Sequence, residues 1–146
     1  MAKCLQLRRG VEQAQNLFTG EQGELTMTTD TKELRIHDGT KVGGFRVPTL
    51  VAVQYPSAAN NYTWYRKYSD GWVVQGGITT ADEYTPVMLP IAMVDTNYIL
   101  LGQCEGLAVG NYNFVVRAKT TTSFTADASY GGGTKRASWR VEGMAA

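Results

Sequence analysis

The sequence predicts a mostly β protein, with a small N-terminal β unit followed by a seven-stranded antiparallel β-sandwich. Three observations carry that expectation. Thr, Gly, Tyr and Val are plentiful while helix formers are sparse, which suits pleated, half-buried strands. Short aromatic and β-branched runs recur about once a dozen residues in the C-terminal half, with glycines at the joints, as in a sandwich. Asp70-Gly71 joins the aromatic run Tyr62–Tyr68 to Trp72–Gln75, and the second run stops at Gly76-Gly77. Asp-Gly between β-prone runs is a strong hairpin signal, because the tight turn needs positive φ and these residues tolerate it.

Residues 1–47 form the first unit. Leu5-Gln6-Leu7-Arg8 alternates and reads as a strand, and Val11–Phe18 has the length of two helical turns. Gly20 and Gly23 break the chain. Glu24–Thr28 and Lys32–His37 then alternate apolar and polar residues across a Thr29-Asp30-Thr31 turn, and Asp38-Gly39 ends this second hairpin. Residues 48–61 read as a connector, because Pro48, Pro56 and the Ser57–Asn61 run oppose regular structure. Its middle is apolar, which suits burial between copies of the chain, so Leu50, Val51 and Val53 are candidate trimer-interface residues. Residues 62–146 form the second unit, with strands near Tyr62–Tyr68, Trp72–Gln75, Tyr84–Leu89, Tyr98–Cys104, Tyr112–Ala118, Ser123–Ala128 and Ala137–Glu142. Both units are small for a self-sufficient core, which favours an obligate oligomer.

Several function classes are disfavoured. Fourteen basic and 13 acidic side chains leave no clustered basic surplus of the kind that nucleic-acid binding requires. The N-terminus has no long apolar core and reads as no signal peptide. The longest apolar run, Val87–Val94, contains Pro90 and is far short of the ~20 residues that span a bilayer. Cys4 and Cys104 have no metal-ligand spacing and read as reduced structural thiols of a protein folded in a cytoplasm. No cofactor and no metal are expected, and the chain is not expected to be an enzyme. His37 is the sole histidine and reads as structural, beside Asp38-Gly39. It has no nucleophile elbow to serve. Asp82, Glu83, Asp95 and Asp127 read as turn and loop residues rather than a glycosidase pair. Gly131-Gly132-Gly133-Thr134-Lys135 lacks the spacing and following helix of a phosphate loop. Trp64, Trp72 and Trp139 lie in expected strands and read as core, and Tyr65 faces opposite to Trp64.

Two sets of motifs resemble known families. Leu5–Gly10, Gly23-Glu24-Leu25 and Thr29–Gly39 resemble the N-terminal domain of the phage major tropism determinant. Tyr68–Gly77, Leu89-Pro90-Ile91-Ala92, Asp95–Tyr98, Lys119–Thr125 and Ser138-Trp139 resemble the C-terminal domain of phage tail-fibre proteins. The resemblance implies a homotrimeric virion protein, made in the bacterial cytoplasm. Its first unit would be intertwined between chains and would attach to other virion proteins. Its trimeric head would meet a bacterial surface glycan or outer-membrane protein, without membrane insertion. The alternative is a purely structural head fibre, collar or baseplate adaptor.

If each strand runs opposite to the one before, Ser69–Gly71, Pro90–Asn97 and Thr120–Thr122 gather at one end with the C-terminus. Gly76–Glu83, Glu105–Asn111 and Ser129–Arg136 gather at the other. The second set is Gly-rich, and loops on a rigid scaffold are where recognition usually sits. Asn111, Tyr112, Tyr130, Lys135 and Arg136 are therefore the expected receptor-binding residues.

Overall fold

The computed structural model describes residues 7–81, 86–105, 114–127 and 135–146. It divides into two compact units, Met1–Thr49 and Leu50–Ala146.

The first unit carries β1 (Arg8–Gly10), one helical turn α1 (Glu12–Gln15), β2 (Leu25–Thr28), β3 (Leu34–Ile36) and β4 (Phe45–Val47). The four strands form one sheet in chain order, with β1 parallel to β2 and the other pairs antiparallel. The expected hairpin is β2–β3, with Lys32 at φ +61° in its turn. The helix is shorter than the expected two turns. Leu17 is 79% exposed, so a second turn has no apolar face to bury, and the chain leaves through two i→i+3 bonds, Leu17 N–H to Ala14 O and Phe18 N–H to Gln15 O. The first helical N–H, that of Glu12, donates to both carboxylate oxygens of Asp30 at 3.0 Å. This bond, with that from Thr31 N–H, holds the Asp30 carboxyl below the ordinary carboxylate range. β4 lies where the sequence shows no alternating run; only three residues long, it follows Gly43-Gly44.

The second unit carries β5 (Leu50–Gln54), a 3₁₀ turn (Ala58–Asn60), β6 (Trp64–Tyr68), β7 (Trp72–Ala81), β8 (Val87–Met88), β9 (Ile99–Glu105), β10 (Val115–Lys119), β11 (Ser123–Asp127) and β12 (Lys135–Met144). Five strands form a sheet in the order β5-β6-β7-β12-β9, and three form another in the order β10-β11-β8. All described pairs in these sheets are antiparallel. The sheets share one apolar cluster: Val73, Trp139 and Val141 from the larger sheet meet Phe124 and Ala126 from the smaller, with Leu89, Met93 and Tyr98. Phe124 and Trp139 meet edge to face, with centroids 5.3 Å apart.

One expectation needs correction. The stretch read as a connector contains β5, which pairs with β6, so Leu50, Val51 and Val53 lie on an edge strand of the large sheet. The prolines that argued against structure flank the strand rather than interrupt it, which an edge position tolerates. The gathering of one end occurs as the strand order implies. Leu89 N–H donates to Thr122 O, Met93 N–H to Thr121 O, Ala145 N–H to Gly71 O and Ala146 N–H to Ala92 O. In the Asp70-Gly71 turn, Gly71 sits at φ +87°, and Asp70 Oδ1 accepts from Trp72 N–H at 3.0 Å.

Cys104 is half-buried on β9, beside Ala137. Burial, then the nearby Asp127 charge, pushes its thiol upward. At pH 8 the residue is expected to alkylate with iodoacetamide more slowly than glutathione does, read by mass of the peptide that contains it. A faster rate than glutathione would contradict its placement. Cys4 lies outside the described residues.

Candidate functional site: an outward sheet face and an inverted sheet

The large sheet of the second unit turns one face away from the core. Register sets this face: Trp64 lies opposite Gly76, Gly76 opposite Arg140, and Arg140 opposite Leu101. Along β12 the buried Ala137, Trp139 and Val141 alternate with Arg136, Ser138, Arg140 and Glu142 on the outward side. Trp64 crosses the sheet because its neighbour is glycine. A Cβ at Gly76 would stand 2.8 Å from Trp64 Cε2 and Cζ2. Only Trp139 of the three tryptophans therefore belongs to the core; Trp64 and Trp72 face outward, contrary to expectation. Alternation along a strand shows that Trp64 and Tyr65 oppose each other, but not which is inside. The Gly76-Gly77 doublet is the signal that a large ring lies across β7.

Two shallow depressions meet at Trp64. The first, about 620 Å³, runs past Tyr62, Ile78, Leu101, Gln103 and Arg140. The second, about 370 Å³, runs past Val53, Tyr55, Arg66 and Tyr68. Pro56, Trp64 and Arg140 border both, so together they make one elongated groove. Its polar edge carries ion pairs, Arg140 Nε to Glu142 Oε1 at 2.6 Å and Arg136 Nε to Glu105 Oε2 at 3.0 Å. At one end Asn61 and Tyr62 hold φ +52° and +57°, uncommon for any residue but glycine and strained for tyrosine. They are fixed by Tyr62 N–H to Ser57 O at 2.8 Å and by Gln54 Nε2 donating to Thr63 O at 3.1 Å.

Of the expected receptor residues, Asn111, Tyr112 and Tyr130 lie outside the described residues. Lys135 opens β12 opposite Ala81, and Arg136 is exposed opposite Thr80 and Glu105. Leu50, Val51 and Val53 are exposed on β5.

The first unit has inverted polarity. Among its described residues no apolar side chain is fully buried, whereas Gln15, Thr26, Thr28, Glu33, Arg35 and His37 are. Arg35, 1% exposed, donates from Nη1 to Gly43 O at 3.0 Å and lies 3.8 Å from Glu33 Oε2. Arg46 spans Glu33 and Glu12. His37 accepts the Gly20 N–H at Nδ1, 3.1 Å, which leaves Nε2 to donate to Thr26 Oγ1 at 3.0 Å. The apolar side chains take the other face. Leu25, Ile36 and Phe45 form one cross-strand row and Met27, Leu34 and Val47 the next, and the first row is exposed.

Among the described residues no three His, Cys, Asp or Glu side chains cluster as metal ligands would. Among those residues, too, no helix is long and apolar enough to cross a membrane.

Residues 5–41 match the family model of the major tropism determinant N-terminal domain. The N-terminus is phage tail-fibre-like. The match spans β1 to β3 and ends before β4, and it fits a virion-associated protein. No curated protein matches the chain.

Proposed function

We propose that this chain is a phage fibre protein that attaches the virion to the bacterial surface. The tropism-determinant match over residues 5–41 carries the reading. The inverted sheet supports it: a unit whose buried centre is polar and whose apolar face is bare is built for partners of its own kind. In this reading the chain is a homotrimer. The first unit joins identical copies and other virion proteins, and β5 contributes to the seam through its exposed Leu50 and Val51, while Val53 borders the groove. The second unit is the head, and its motifs resemble those of a tail-fibre C-terminal domain. Three heads per fibre let weak contacts add through effective concentration.

The test is binding of the purified, labelled protein to bacteria that the phage infects. Saturable binding that competes with phage adsorption is expected. Presence in purified virions without cell binding would instead make the chain a structural appendage or adaptor.

A further inference from the structure

We propose that the elongated groove across Trp64 binds a saccharide of the bacterial surface, with one pyranose ring stacked on the Trp64 indole. The inference deepens the attachment reading and rests on it only for the source of the glycan.

Three features carry it. The first is the platform. A pyranose has a flat C–H face that packs on an aromatic ring, while its hydroxyls need donors and acceptors around the rim. Trp64 lies across the sheet because Gly76 leaves room for it, and Tyr62 and Tyr68 stand at the groove's two ends. Aromatic rings spaced along an open trough suit a linear chain of sugars.

The second is the rim. Arg140, Gln103, Ser138 and Glu105 border the first depression and offer donors and acceptors of both kinds. Arg140 pairs through Nε with Glu142, and its guanidinium carries further N–H donors. A second copy of the chain seated on this face would strip water from two ion pairs, a costly exchange. A hydroxylated ligand keeps those groups hydrogen-bonded.

The third is local strain: the Asn61-Tyr62 pair, at φ +52° and +57°, sits at the Tyr62 end of the groove. Strain of that kind persists where the surrounding structure holds it, and it clusters at binding sites.

The experiment places the full chain on a printed array of purified bacterial lipopolysaccharides and capsules, with di- to hexasaccharides of glucose, galactose and their N-acetylated forms. Wild-type protein is expected to bind one group of related saccharides. Trp64→Ala is expected to weaken that binding about tenfold or more, and Trp64→Tyr, which keeps a ring, to weaken it less. Trp72→Ala, on the same face but outside the groove, is expected to bind as wild type does. Near-ultraviolet circular dichroism of each variant confirms that it is folded. Failure of the folded wild-type protein to bind any saccharide overturns the inference, as does binding that survives Trp64→Ala. A Trp64→Ala change that lowers the oligomeric mass while no saccharide binds also overturns it, since a copy of the chain then occupies the groove. Cell binding separates the two proposals. Attachment to bacteria that is unaffected by Trp64→Ala removes the groove and leaves the attachment reading. Trp64-dependent array binding without attachment to bacteria keeps the groove and removes that reading.

Discussion

Trp139→Ala is expected to destabilise the second unit by about 3–5 kcal/mol, the range for truncating a buried large aromatic. The indole is almost wholly buried at the centre of β12 and meets Phe124 edge to face at 5.3 Å. Its two register partners, Gly77 and Gly102, are glycines, so neither has a side chain to move into the space left behind. The position over Gly102 is already filled by Phe114, whose ring stands 2.4 Å from where a Cβ would be. The cavity therefore persists, and its lining loses dispersion contacts outright. A domain of this size has roughly 5–15 kcal/mol of stability in all, so the loss removes a large share of it. Urea unfolding gives the measurement, as a lower midpoint with an unchanged slope. Trp139→Phe is expected to cost less. It keeps most of the packing and deletes the Nε1 donor that has no partner among the described residues. A loss below about 1 kcal/mol for the alanine variant would place Trp139 outside the core.

The strands of the second unit were legible as aromatic or β-branched runs, and one of their chain breakers is used by the structure as a turn. Asp70-Gly71 closes the β6–β7 hairpin, and β7 then runs through Gly76-Gly77 rather than stopping there. That extension is the cost of reading glycine as punctuation. Here the doublet makes room for Trp64 on one face and Trp139 on the other, and β12 pairs along the whole of β7. β5 was hidden by its flanking prolines, which mark an edge as readily as an end. The groove was not legible, because period-2 alternation assigns residues to two faces without saying which face meets the core. The same ambiguity hid the inversion of the first unit. Leu25-Thr26-Met27 and Leu34-Arg35-Ile36 alternate correctly, yet ordinary hydrophobicity puts Leu25 and Ile36 inside, and the structure buries Thr26 and Arg35.

That inversion sets the second large effect: Ile36→Glu combined with Phe45→Glu is expected to convert a trimer to a monomer. The two side chains are register partners on β3 and β4, 44% and 46% exposed in the single chain. They sit in a row with Leu25, on the face that carries Met27, Leu34 and Val47. Nothing else among the unit's described residues offers a dry core. Its centre is the Arg35–Glu33–Arg46–Glu12 network, in which Arg35 Nε and Nη2, Glu33 Oε2 and Gln15 Oε1 have no hydrogen-bond partner among the described residues. A polar centre of that kind specifies geometry more than it stabilises. In the trimer proposed above, removal of the apolar rows from water between copies is the term that would hold the unit together. Each carboxylate forced into that seam costs about 3 kcal/mol or more, roughly a hundredfold in the association constant per substitution. Light scattering during size-exclusion chromatography at micromolar concentration reads the outcome. The wild-type chain is expected at three times its 16.0 kDa mass, and the double variant at one. Substituting Gln13 and Asn16 with Glu, exposed at α1 whose Glu12 and Gln15 face the polar centre, is the control and should leave the trimer intact. A monomeric wild-type protein, or a double variant that still elutes as a trimer, would show that the outward apolar face of the first unit is not the seam.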